Sequence, residues 1–147
     1  MKTKHFFVVI FLLALAVISV IPLAALGEDT ESDSQPIEFF FADLRSPVPY
    51  VDNALADVVF EALDSSREAL IDQENLPEDT SYVATFAFPA RGIIWQWWAQ
   101  NREACFLVSW TEDREPDVWV SDCGILFETY STVIEARTNR YRVSNNV

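Results

Sequence analysis

The chain is 147 residues long, with 10 Lys and Arg against 23 Asp and Glu, a formal charge of −13 and a pI near 4.2. So acidic a chain repels phosphate backbones and anionic lipid headgroups, which argues against nucleic acid and membrane surfaces as partners. Its one histidine is His5 and its lysines are Lys2 and Lys4, so everything after the first few residues lacks the commonest general base, the commonest metal ligand and the Schiff-base amine.

Lys2 and Lys4 precede an uncharged apolar run from Phe6 to Leu26, and Ala25-Leu26-Gly27 supplies small residues at the −3 and −1 positions of a cut after Gly27. This is the order of a secretory signal peptide, residues 1–27. The alternative is an uncleaved membrane anchor, since the run is long enough to span a bilayer. Both readings place the remainder outside the cytoplasm, secreted or periplasmic, where a disulfide persists. A cut after Gly27 leaves 120 residues with eight Arg and 23 acids, a formal charge of −15. That length supports one domain and not two. Residues 28–36, EDTESDSQP, have no apolar side chain and read as a disordered acidic tail, leaving 37–147 as a single domain.

Ile37 to Leu44 reads as a short buried strand, broken by the prolines at 47 and 49. A helix is expected from Tyr50 to Gln73, because Val51, Leu55, Val58, Val59, Ala62, Leu63, Ala69 and Leu70 recur at three- and four-residue steps. On its opposite side Asp57, Glu61, Asp64, Glu68 and Asp72 form an acidic stripe, either a solvated face or a face for a cationic partner. From Tyr82 the period changes to two, and strands are expected over 82–88, 93–98, 104–111 and 117–123. After Gly124, the Thr, Val and Ile content leans to strand, although Leu126, Phe127, Tyr130, Val133, Ile134 and Arg137 also fit a helical face.

This order gives a two-layer α+β fold, one long N-terminal helix packed on a four- to five-stranded antiparallel meander. The element order resembles that of cystatin-like inhibitors, without their loop motifs, and the resemblance is a fold-level analogy only.

A turn centred on Arg114 sets Cys105 opposite Cys123 on paired strands, which predicts a disulfide with a chain-entropy contribution of about 3 kcal/mol. A turn between Gln100 and Asn101 then puts Trp95, Trp97, Phe106 and Val118 beneath the helix. It puts Ile94, Trp98, Leu107 and Trp119 on the other face, as a candidate partner-binding surface.

Chemistry is sparse. No base stands beside a serine, no Gly-rich phosphate loop is visible, and two cysteines without histidine do not make a zinc site. The acidic turn Glu112, Asp113, Glu115 and Asp117 matches no EF-hand spacing, and Arg137, Arg140 and Arg142 read as partners for the chain's own acids. No catalytic set, metal site or cofactor is expected. The expected function is a small exported acidic binding or inhibitor-type module acting through protein–protein contact. The alternatives are a passive structural or accessory domain of an envelope assembly and, behind it, a carboxylate-pair hydrolase.

Overall fold

The computed structural model describes residues 35–145, so the expected signal peptide and residues 28–34 of the tail lie outside the described residues. The elements are β1 (Phe40–Asp43), β2 (Ser46–Val51), α1 (Ala56–Ser66), β3 (Arg67–Ile71), β4 (Ser81–Phe88), β5 (Ile93–Ala99), β6 (Cys105–Thr111), β7 (Arg114–Ser121) and α2 (Cys123–Ser144). The seven strands form one antiparallel sheet in the order β2–β1–β4–β5–β6–β7–β3. The architecture is thus α+β with an antiparallel sheet, as expected. The single N-terminal helix on a four- to five-stranded meander is not what forms: among the described residues there are seven strands, and the longer of the two α-helices is the C-terminal one.

Three local features account for the difference. The prolines at 47 and 49 do not end the strand region; they sit in β2, an edge strand, which is where a sheet tolerates proline. The expected long helix stops at Ser66. Ser65 and Ser66 donate their hydroxyls to the carbonyls of Ala62 and Leu63 at 2.8 Å, and Arg67 turns to extended backbone with ψ 122. Ala69 and Leu70 would have continued the helical stripe, yet residues 67–71 instead line the open side of β7, Leu70 opposite Trp119 and Ile71 opposite Val118. Sheet pairing overrides their helical propensity.

The segment after Gly124 is helix, not strand. Asp122, within the strand expected over 117–123, is instead the N-cap, its side chain accepting the Ile125 N–H at 3.1 Å. The β-branched and hydroxyl residues that argued for strand are accommodated within the helix. Thr129, Thr132 and Thr138 each donate to the carbonyl four residues back, at 2.7–3.0 Å. Arg142 lies in the last turn, where the helix dipole favours a cation.

Both helices cover one face of the sheet. Val59 and Leu63 of α1 and Leu126 and Val133 of α2 join Phe41, Phe86, Phe88, Trp95, Trp97 and Leu107 in one core cluster. Ring contacts knit it: Phe60 lies 4.8 Å from Trp95, and Trp97 lies 4.8 Å from Phe127 and 5.8 Å from Tyr130. At about 25 cal/mol per Å² of apolar surface, rings of this size dominate core stabilisation. On the opposite face, Phe40, Ala87, Phe106, Val108 and Val118 are also buried, outside that cluster.

The Cys105–Cys123 disulfide is present, with Cα atoms 5.3 Å apart. Its context differs from the expected strand-to-strand bridge. Cys105 lies opposite Ser121, two residues from the expected register, and Cys123 is the first residue of α2. The bond therefore pins the start of α2 to the sheet. A disulfide fits an oxidising compartment, and among the described residues no helix is long and apolar enough to cross a membrane.

Candidate functional site

The partner surface expected from the sequence is divided by the real register. The β5–β6 loop runs from Gln100 to Ala104, closed by the Gln100 N–H donating to the Ala104 carbonyl at 3.0 Å. Trp97 therefore faces Leu107, where the expected turn would have set it opposite Ala104, three residues away. An odd shift exchanges the faces of everything beyond it. Ile94 and Trp98 consequently lie on the face away from the helices, while Leu107, fully buried, and Trp119 belong to the helix side. Trp119 is engaged there, with the Arg67 guanidinium 4.6 Å from its ring.

The expected acidic stripe is divided as well. Asp57, Glu61 and Asp64 lie on α1, but Glu68 falls in β3 and Asp72 follows it, so the five do not share a helical face. Two of the helical three are paired within the fold. Asp57 accepts from Arg91 at 2.6 Å, and Asp64 pairs with Arg67. Arg91 also stands 3.8 Å over the Phe60 ring. Glu61 has no ion pair among the described residues.

What the helices do create is a groove. Val58, Val59 and Ala62 of α1 and Ile125, Glu128, Thr129 and Thr132 of α2 line an open channel of about 260 Å³. Sequence reading missed it because it needs α2 as a helix beside α1. Val58 is the notable wall residue: it was assigned to the core stripe, yet is 57% exposed. The hydroxyls of Thr129 and Thr132 are spent on their own helix, donating to the carbonyls of Ile125 and Glu128. The groove therefore offers apolar surface and the exposed carboxylate of Glu128, with Glu61 one turn from Val58 on the same helix.

A second polar cluster is internal. Asp43, at the end of β1, accepts the backbone N–H groups of Arg45 and Ser46 through Oδ1, both at 3.0 Å. Its Oδ2 accepts the Tyr130 hydroxyl at 3.0 Å and lies 3.5 Å from Arg137 Nη2. The Tyr130 phenol is pushed above its usual value by burial, then by its bond to Asp43 and that residue's charge. Tyr50 rises to about 12 through burial first and then through its hydroxyl's bond to Asp52, which also pairs with Arg140 at 3.3 Å. Arg137 and Arg140 thus tie α2 to β1 and to the residue after β2, pairing with the chain's own acids. The Asp43 carboxylate is almost fully buried and both of its oxygens are engaged within the fold, which suits a structural joint.

Among the described residues no three His, Cys, Asp or Glu side chains converge on a possible metal position. Compared with known proteins, the chain matches no family model, no curated protein and no solved structure.

Proposed function

We propose that this chain is an exported binding module that recognises another protein through the groove between α1 and α2. The observation that carries the reading is an apolar channel opening on the surface of the helix layer, with Val58 57% exposed in its wall. Its volume, about 260 Å³, falls below the roughly 300–1,000 Å³ typical of pockets that enclose small molecules. It suits side chains presented by a macromolecule. The disulfide supports export, because such bonds persist outside reducing cytosol.

The test is site-specific photo-crosslinking of the exported chain in cells that make it. A crosslinker at position 58 is compared with one at position 113, in the exposed β6–β7 turn on another element. The reading predicts a discrete adduct from 58 and none of that size from 113. Equal adducts from both positions, or none from 58, would contradict it.

A further inference from the structure

Resting on that reading, we infer that the partner is an amphipathic helix carrying Lys or Arg beside its apolar stripe. The backbone argument selects a helix. Both walls of the groove are helices whose N–H and C=O groups are bonded internally, so they present no ladder to an incoming strand. An extended segment would leave its own backbone groups unpaired there, whereas a helix brings them already satisfied. The dimensions agree. α1 has 11 residues, about 16 Å at 1.5 Å per residue, which is room for side chains at i, i+3 or i+4, and i+7 of a docking helix.

Charge selects the sign. Glu128 lines the groove and Glu61 flanks it from the opposite helix; both are exposed, and neither has an ion pair among the described residues. Glu135 stands two turns further along α2, also exposed. The described residues together hold 19 acids against eight Arg, so the surrounding field favours a cation and opposes an acidic partner. The same field disfavours a second copy of this chain. Among the described residues, the basic, partly apolar segment is the end of α2, where Tyr141 and Val143 are 57% and 70% exposed and Arg142 stands between them. Docking that segment would bring two strongly acidic bodies together.

The probe is an 18-residue helical peptide of Leu and Lys, with Leu at three- and four-residue spacing. It is compared with its Leu/Glu analogue and with a scrambled Leu/Lys peptide of the same composition. Binding to the full exported chain is measured by calorimetry at two salt concentrations. The inference predicts binding of the patterned Leu/Lys peptide at least tenfold tighter than of either control. Glu61→Gln with Glu128→Gln should weaken it about tenfold, with a smaller salt dependence than the parent. Val58→Ser, at an exposed position, should weaken it about fivefold or more without altering the salt dependence. Equal binding of the scrambled peptide, unaltered binding by the variants, or preference for the Leu/Glu peptide overturns the cationic helix. So does self-association of the chain that is lost in Tyr141→Ser with Val143→Ser. A crosslink from position 58 alongside any of these failures leaves the binding-module reading standing; failure of that crosslink removes both.

Discussion

Replacing Asp43 with Ala should be among the most damaging single substitutions in this domain. The side chain is 1% exposed and its ion-pair partner Arg137 15% exposed, so the loss strands a cation in a poorly solvated place. Removing one member of a buried pair costs about 3–5 kcal/mol. The Tyr130 hydroxyl loses its acceptor too, adding about 1 kcal/mol. The Arg45 and Ser46 N–H groups lie in a turn that water reaches, so their share is small. A loss of about 4–6 kcal/mol follows, a large part of the roughly 5–15 kcal/mol that stabilises a domain of this size. Urea unfolding followed by tryptophan fluorescence reads it directly. Asp43→Asn, which retains an acceptor for the turn, should fall between, and adding Arg137→Met should recover part of the Asn loss by removing the stranded charge. If Asp43→Ala costs less than about 1 kcal/mol, or if Arg137→Met deepens the Asn loss, the joint between β1 and α2 is not the anchor described above.

The disulfide and the tyrosines give independent checks. The folded, unreduced protein should show no reactive thiol, and Cys105→Ala with Cys123→Ala should lower stability by about 3 kcal/mol for a separation of 18 residues; stoichiometric labelling of the native protein would contradict the pairing. Tyr50, raised to about 12, and Tyr82 and Tyr130, also raised, favour the neutral phenol in the folded state. Their contribution is fully present below the unfolded value near 10 and is lost as pH rises through the folded values, so stability should decline between about pH 10 and 12. Ultraviolet titration of the folded protein should therefore show these three phenols ionising late; ionisation of all four tyrosines near pH 10 would refute the burial argument.

The parts of the fold legible in the sequence were those set by local pattern. Alternation from Tyr82 onward identified β4 to β7, and the spacing of Cys105 and Cys123 with an intervening turn identified the disulfide. What remained hidden depends on non-local pairing. Residues 67–71 satisfy a helical stripe as well as a strand, and only the unpaired side of β7 decides between them. The N-cap at Asp122 was hidden by its continuity with the strand before it, which left the helical face of Leu126, Phe127, Tyr130, Val133, Ile134 and Arg137 as the lesser alternative to a strand. Register was the costliest error, because a loop longer than expected by an odd number moved Leu107 and Trp119 to the other face from Ile94 and Trp98. The candidate site was legible only in part: Glu61 and the apolar stripe of α1 could be read, but the opposite wall of the groove is supplied by α2.

The most direct test of the proposed site is to map binding of the patterned Leu/Lys peptide on the isotopically labelled, disulfide-bonded chain by amide chemical shifts. The account predicts shifts concentrated at residues 58–62 and 125–132, saturating together along one binding curve and disappearing in the Val58→Ser, Glu61→Gln, Glu128→Gln triple variant. Shifts spread evenly over the acidic surface, or centred on β5 to β7, would contradict the groove as the binding site.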